Sequence, residues 1–573
     1  MNTVLISKLP IASWVETAVD WLTTTLSGFF NIIQDGGTHL MNGITDGLTA
    51  MPSWMVIIGL TVFAILMYGK KWGIPLFTFL GLLLIANQNL WSDLMSTFTL
   101  VLVSSLISII IGVPLGIWMA KKETVAKIVQ PVLDFMQTMP GFVYLIPAVA
   151  FFGIGVVPGV FASVIFALPP TVRMSNLGIR QVPKDLVEAA DSYGSTPKQK
   201  LFKLELPLAT NTILAGVNQT IMLALSMVVI ASMIGAPGLG RGVLSAVQNA
   251  DVGKGFVNGL ALVILAIIID RFTQKLNVKP ADKQPTSKHH WKMWTAIVVA
   301  VAMVGSGVVN TFANGKKAED TLNLVYVQWD SEVASSNVLA EAMRQHGYSV
   351  NLTPLDNSIM WQSVANGQAD ASVSAWLPNT HAAQYKKYKS QIDMLGPNLT
   401  GAKTGLVVPA YMNVDSISDL TTQANKTVTA IEPGAGVTNA AEKALSDYGL
   451  NNNGWKLTPS SSGAMTVALG KAIKDKQDIV VTGWTPHWMF QKYDLKYLSD
   501  PKGSFGKAES INTFTRKGLK ADKPKAYRVL DKFKWDEQDM ESVMLAIQNG
   551  KSPKAAAKEW IADHQKQVDS WFK

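Results

Sequence analysis

Three tryptophans in the C-terminal half of the chain each stand at the end of a short apolar run. They are Trp329, Trp376 and Trp484. If these runs are parallel strands of an α/β fold, their carboxyl ends meet along one edge and the three rings face a common crevice. Aromatic faces attract a cation by up to about 2 kcal/mol or more for each desolvated contact, and quaternary ammonium is the usual guest. We therefore predict an aromatic cage for a cation, with separate packing of each ring as the alternative.

The residue after the first tryptophan leaves a second ligand class open. A primary amine carries N–H donors, and these need acceptors when they are buried. Asp330 follows Trp329 directly and would supply such an acceptor. An amino acid is therefore an alternative ligand.

A turn of small residues predicts a site for the opposite charge. The segment PGAGVT at 433–438 leads into a predicted helix, and the first N–H groups of a helix attract anions. Gly436 and Val437 lie at this turn, and His381 in WLPNTH would add a hydrogen bond to a carboxylate. An ordinary strand–helix turn and a structural histidine are the alternatives. A cation cage opposite an anion site describes a small zwitterion with a quaternary nitrogen.

An internal duplication indicates how these residues are positioned. The segment DASVSAWLP at 370–378 aligns with DIVVTGWTP at 478–486, and LNLVYVQW aligns with KTVTAIEP further upstream. Two similar α/β lobes with a cleft between them are predicted, closing around a ligand by hinge motion. We place the first lobe at 321–408 and 514–573 and the second at 409–513, with crossings near Gly405–Met412 and Asn512–Lys517.

The N-terminal half is apolar enough for a membrane protein. Only 16% of the 573 residues are charged, against about 25% in typical soluble domains. Several runs are shorter than the roughly 20 residues that cross a bilayer unaided. The eight apolar runs lie at 53–68, 72–86, 98–120, 131–152, 156–170, 212–234, 256–270 and 291–312.

Positively charged residues between these apolar runs predict the orientation of the chain in the membrane. Lysines and arginines concentrate in every second loop, which the positive-inside rule places in the cytoplasm. This distribution also explains the net charge of +9 without a nucleic-acid partner. We expect an extracytoplasmic amphipathic segment at 1–52, the transmembrane domain at 53–275, a linker with a tether helix at 276–320, and an extracellular binding domain at 321–573. The chain is then a multi-pass protein of the cytoplasmic membrane.

The longest cytoplasmic loop, 171–211, contains a recognisable signature. We expect a short helix around Leu186–Ala190, a break at Gly194, a second short helix at Lys198–Leu204, and a new span from Pro207. This loop resembles the EAA signature of binding-protein-dependent ABC transporter permeases, whose coupling helix docks into a groove of the ATPase subunit. The matching residues are Glu188, Ala189, Ala190, Gly194, Leu206 and Pro207.

Catalysis and cofactors are expected on another chain. No GxxxxGK[ST] loop occurs in the sequence, so a separate ATPase must supply ATP and Mg²⁺ chemistry. The sequence has no cysteine, which excludes thiolate chemistry, and no Ser/His/Asp or metal-ligand pattern stands above chance. The resemblance to ABC permeases implies a homodimer of this chain with two ATPase subunits.

The outer domain is similar to the glycine betaine/proline betaine binding proteins. The resemblance rests on the Trp-x-Pro turns, the WLPNTH and GWTPHW segments and the PGAG turn. It implies that Trp329, Trp376 and Trp484 cage the trimethylammonium group. It also implies that the amides of Gly436 and Val437, together with His381, hold the carboxylate.

These features predict a non-catalytic permease and receptor of an osmoprotectant importer. The expected fold is an α-helical type I ABC importer-like permease joined to an α/β two-lobed binding domain. An importer of an amino acid, choline or carnitine is the alternative. A membrane ligand sensor is less favoured, since the cytoplasmic loops are short.

Overall fold

The computed structural model describes residues 9–69, 71–248, 251–277 and 321–573. The chain divides into two units, residues 1–243 with 256–315 and residues 244–255 with 316–573. The tether helix expected at 291–312, and nearly all of the linker expected at 276–320, lie outside the described residues.

The first unit is built from α-helices. Its amphipathic N-terminal part forms two helices, and apolar helices follow. The described α-helices up to residue 277 are α1 (Ile11–Thr25), α2 (Ser27–Thr49), α3 (Ser53–Tyr68), α4 (Gly73–Asn87), α5 (Trp91–Lys121), α6 (Glu123–Thr138), α7 (Leu145–Phe152), α8 (Val156–Arg180), α9 (Lys184–Ser192), α10 (Pro197–Lys200), α11 (Leu206–Ser232), α12 (Leu239–Gln248) and α13 (Val252–Asn277).

Four described helical segments are long and apolar enough to cross a membrane, and up to six if each of two bent pairs counts as one span. The four are Trp91–Lys121, Val156–Arg180, Pro197–Ser232 and Val252–Lys275. Small residues let them pack closely: a Cβ on Gly116 would lie 2.4 Å from the carbonyl oxygen of Val172, and one on Gly216 would lie 3.0 Å from that of Pro170. Glycines at such crossings are typical of membrane helix packing.

The run expected at 131–152 is not one straight helix. α6 and the segment Gly141–Phe152 meet at 106°. Met139 has an extended backbone with ψ of 134°, because the residue before a proline, here Pro140, is pushed out of the helical region. The bend therefore follows from a local proline that the apolar pattern alone does not reveal.

The signature loop is also more continuous than expected. α9 forms as predicted around Leu186–Ala190, and Gly194 breaks it with φ of +74°. A Thr196–Gln199 capping box opens α10, but the helix then continues through one π-helical turn, Leu201–Glu205, into α11. Pro207 falls in the first turn of α11 as expected, but no break separates α11 from the short helix before it, and Pro197–Ser232 forms one continuous helical segment. The π-helical turn before Pro207 accommodates its missing N–H.

The second unit is a nine-stranded α/β structure with the order β2-β1-β3-β9-β4-β7-β5-β6, and β8 pairs with β4. β1, β2 and β3 are parallel to one another, as are β5, β6 and β7. The strands are β1 (Thr321–Tyr326), β2 (Ser349–Pro354), β3 (Ala371–Leu377), β4 (Ile392–Pro409), β5 (Thr427–Ala430), β6 (Lys456–Pro459), β7 (Val480–Thr485), β8 (Leu495–Tyr497) and β9 (Glu509–Arg516).

Helices flank these strands, as the βα repeat requires. They are α14 (Asp330–Gln345), α15 (Asn357–Ala365), α16 (Ala382–Tyr388), α17 (Gly436–Asp447), α18 (Ser462–Lys474), α19 (Met489–Lys492), α20 (Leu519–Asp522), α21 (Pro524–Lys532), α22 (Glu537–Gln548), α23 (Pro553–Asp563) and α24 (Gln565–Phe572).

The two lobes share the long strand β4. Its residues up to Ala402 pair with β9, and those from Lys403 onward pair with β7 and β8. The chain returns to the first lobe between Tyr497 and Glu509. Both crossings lie earlier in the chain than the expected positions near Gly405–Met412 and Asn512–Lys517. One strand with register shifts serves both sheets, so no loop marks the first crossing.

Candidate functional site

A cavity of about 280 Å³ lies between the two lobes of the second unit. The first lobe contributes Trp329, which follows β1, and Trp376, near the end of β3. The second lobe contributes Trp484, near the end of β7, and the first turn of α17. The residues that line it are Trp329, Trp376, Thr380, Thr404, Ile431, Ala435, Gly436, Val437 and Trp484. The structure therefore brings together the three tryptophans and the Gly-Val pair that the sequence singles out.

The indole N–H groups of two of these tryptophans donate to glutamate carboxylates, of which Glu332 is buried and Glu432 half-buried. Trp376 Nε1 donates to Glu332 Oε1 at 2.6 Å, and Trp329 Nε1 donates to Glu432 Oε1. Burial raises the pKa of Glu332 to about 7, although hydrogen bonds from Ser374, Trp376 and Ser331 oppose the rise. Burial also raises the pKa of Glu432, against the hydrogen bond from Trp329.

Sequence reasoning missed both glutamates. They belong to the same strand–helix turns as the predicted ligand residues, in WDSE and IEPGAG. Their position next to the predicted ligand residues could have pointed to them. The direction in which each carboxylate points depends on the tertiary structure, so the sequence alone does not give their contacts.

His381 lies beside the cavity and is neutral. The backbone N–H of Trp376 donates to its Nδ1 at 3.0 Å, so the ring proton is on Nε2. Nε2 is buried and has no hydrogen-bond partner within the described chain. The ring stacks on Trp329 with 5.7 Å between centroids. Burial lowers the pKa of His381 to about 3, so this side chain offers one unused N–H donor at neutral pH.

The first turn of α17 is pressed against the other lobe. A Cβ on Gly436 would lie 2.5 Å from the carbonyl oxygen of Thr380, so only glycine fits there. Ala435 precedes the helix and makes no side-chain cap, which leaves the first N–H groups without an intrahelical partner. These donors, at the positive end of the helix, suit a carboxylate.

Asp330 does not line the cavity. Its carboxylate accepts hydrogen bonds from Ser462 Oγ at 2.9 Å and from Trp488 Nε1 at 3.0 Å. His487 Nε2 lies 3.5 Å away. Burial raises the pKa of Asp330, but the interactions with His487, Ser462 and Trp488 outweigh burial and leave that pKa below its ordinary value. All three partners belong to the second lobe, so the amine-binding role considered for Asp330 finds no support in this geometry.

The predicted ATPase-coupling residues lie on an exposed part of the first unit. α9, with Glu188, Ala189 and Ala190, has no buried residue. Tyr193 at its end is 91% exposed. Gly194 follows, and Leu206 and Pro207 begin α11.

Both halves of the chain match known protein families. Residues 112–279 match the binding-protein-dependent transport system inner membrane component. Residues 320–563 match the substrate binding domain of ABC-type glycine betaine transport systems. The first match supports a multi-pass membrane protein, in agreement with the apolar helices.

Individual relatives agree with these families. The glycine betaine/carnitine transport permease protein GbuB of Listeria monocytogenes is 61% identical over 280 residues, which is 48% of this chain and 98% of that protein. The binding protein GbuC of the same organism is 53% identical over 172 residues, 30% of this chain and 56% of that protein. Lactococcal OpuAC, solved in a closed form with glycine betaine, is 66% identical and is covered completely by 44% of this chain, with a TM-score of 0.44.

The permease relative, 61% identical and covered over 98% of its length, establishes the family of the chain, and the family model over residues 320–563 agrees with it. The permease match extends over nearly the whole relative, and the binding-domain match begins where the second unit's first strand begins. The chain belongs to the glycine betaine ABC transporter family, as a permease fused to its substrate-binding domain.

Proposed function

We propose that this chain binds glycine betaine outside the cell and conducts it through the membrane. The observation that carries the proposal is the cavity in which three tryptophans face the first turn of α17. Indole faces favour a trimethylammonium group that has no N–H donors. The amides of Gly436 and Val437 and the free N–H of His381 provide donors for the ligand's carboxylate.

The same geometry argues against the alternatives. Choline has no carboxylate and would leave the N–H groups of α17 and His381 unpaired, which costs free energy in a buried site. An amino-acid amine would need an acceptor inside the cavity, and Asp330 is engaged elsewhere. Carnitine is the second candidate, because the relatives GbuB and GbuC are named for glycine betaine and carnitine.

Transport requires partners beyond this chain. We infer two copies of the permease around a central path, each with an ATPase subunit that carries ATP and Mg²⁺ and docks on α9. The cationic loops lie in the cytoplasm under this proposal, and residues 1–52 and 321–573 lie outside. Betaine closes the lobes, the closed domain delivers it to the permease, and ATP drives inward release.

Binding and coupled ATP turnover by the full transporter test the proposal. The chain would be purified with its ATPase, reconstituted into proteoliposomes, and offered glycine betaine, carnitine, choline or glutamine. We expect saturable quenching of tryptophan fluorescence and stimulated ATP hydrolysis with betaine. A response to glutamine and none to betaine would overturn the proposal.

A further inference from the structure

Two glutamate carboxylates, one fully buried and one half-buried, accept the indole N–H groups of rings that line the cavity. Glu332 is fully buried and receives the indole N–H of Trp376. Glu432 receives that of Trp329. One belongs to the first lobe and the other to the second, so negative charge approaches the cavity from both sides.

Neither carboxylate has a cationic partner within the described chain. Other buried acids of this unit do: Asp370 pairs with Arg516 at 2.9 Å and with Lys523 at 2.7 Å. Glu341 lies on the same helix as Glu332 and pairs with Arg344 and Lys558. A buried charge is normally paired, because desolvation is costly. Oε1 of Glu332 accepts from Trp376 Nε1, whereas Oε2 has no hydrogen-bond partner among the described residues, so neutral donors offset only part of the cost of burying the charge.

We propose that Glu332 and Glu432 act as counterions of the bound ammonium group, through the indole rings that separate them from it. An N–H group that donates to a carboxylate leaves its ring richer in electrons, which strengthens the attraction of the ring face for a cation. The negative charge also acts directly across a medium of low dielectric constant. This inference rests on the proposed function, and it adds that charge, beyond shape, selects the ligand.

A pair of isosteric ligands separates charge from shape. Glycine betaine and 3,3-dimethylbutanoate have the same outline, but the latter carries a neutral carbon in place of the quaternary nitrogen. Affinity of the full chain in lipid nanodiscs would be measured by calorimetry for betaine and by competition for the neutral analogue. Glu332→Gln and Glu432→Gln keep the size of the side chain and an acceptor for the indole N–H.

We expect each substitution to weaken betaine binding about tenfold or more and to leave binding of the neutral analogue unchanged or tighter. Glu341→Gln is the matched control, since Glu341 is similarly buried on α14 but has its own cations. Its betaine affinity should equal that of the wild type. Melting temperatures without ligand show whether each variant is folded.

The outcomes keep the two proposals apart. Wild-type betaine affinity in both glutamine variants, or wild-type binding of the neutral analogue as tight as that of betaine, would overturn the counterion role while the proposed function stands. Equal loss of both ligands in a folded variant would also overturn it and indicate that the glutamates only hold the rings in place. Absence of betaine binding in the wild type would instead contradict the proposed function.

Discussion

Two of the tryptophans that line the cavity each have two distinct interactions. The rings of Trp329 and Trp376 line the cavity, whereas their N–H groups point away from it toward Glu432 and Glu332. The same side chain thus offers an apolar, electron-rich face to the ligand and has its polar group satisfied. This arrangement explains how a nearly apolar cavity wall is compatible with two carboxylates close to it.

Removal of one ring should weaken binding strongly without unfolding the domain. Trp376→Ala loses a desolvated cation contact and leaves Glu332 without its donor, so betaine affinity should fall by about a hundredfold. Fluorescence titration of the full chain measures it. Trp571→Phe is the control, since Trp571 packs against Phe533 and Trp560 away from the cavity. Wild-type affinity in Trp376→Ala would contradict the cage.

Betaine affinity should decrease as the pH falls through about 7. The pKa of Glu332 is raised to about 7, so its charge is present above that pH and lost below it. A bound cation favours the charged form, so binding lowers this pKa and releases protons near neutrality.

The other titratable groups near Glu332 do not reverse this decrease of betaine affinity at low pH. Burial first, with the smaller effects of Asp356 and Asp330, raises the pKa of Glu432, so its titration acts in the same direction. The pKa of Asp330 is lowered, and His381, with a pKa of about 3, stays neutral. His487 faces Asp330 rather than Glu332. Calorimetry between pH 5.5 and 8.5 should show a weaker pH dependence in Glu332→Gln, and identical profiles would refute the assignment.

At the level of elements, Asp330 connects the start of α14 to the second lobe. It accepts hydrogen bonds from Ser462 at the start of α18 and from Trp488 beside α19. The strand β4 is common to both lobes, so we expect closure to be a rotation about a short shared segment. Under the proposed function, a contact between the lobes such as that of Asp330 stabilises the closed form without touching the ligand.

Loss of this contact should accelerate ligand release. Asp330→Asn weakens hydrogen bonds to a charged acceptor, each worth about 1.5–3 kcal/mol, so we expect the dissociation rate to rise about tenfold with little change in the association rate. Stopped-flow fluorescence separates the two rates. Ser462→Ala, which removes one partner, should have a smaller effect in the same direction. A change confined to association would argue against a closure contact.

The exposed helix α9 should affect transport and leave binding intact. Glu188→Lys reverses a charge at the proposed ATPase contact. Gly194→Trp strains a backbone with φ of +74°, which favours glycine. We expect both to impair betaine-stimulated ATP turnover and uptake in proteoliposomes, with the betaine dissociation constant unchanged. Normal uptake in both variants would exclude α9 as the coupling element.

On the scale of the whole molecule, the chain joins a helical unit and an α/β unit that meet different physical requirements. The helical unit satisfies its backbone polar groups internally, as a bilayer requires. The α/β unit places its binding residues at the carboxyl ends of strands. Because the two units share one chain, binding of the receptor to its permease is intramolecular under the proposed function.

Local pattern was sufficient for much of this architecture. Apolar run length predicted the membrane half, and the duplicated Trp-x-Pro segments predicted two α/β lobes, because both signals repeat within a few residues. The segment around Met139 and the continuous helix through Pro207 differed from expectation. Whether a proline bends a helix or sits in its first turn depends on the neighbouring backbone.

Local order was enough to place three tryptophans and a glycine turn at strand ends, since chain direction and strand alternation follow from it. Three further relations arise only in the folded chain: Glu332 and Glu432 bind indole N–H groups 44 and 103 residues away, Asp330 turns toward the second lobe, and β4 pairs in both lobes. These are long-range relations. They depend on the packing of two lobes against each other, which no pattern within one segment encodes.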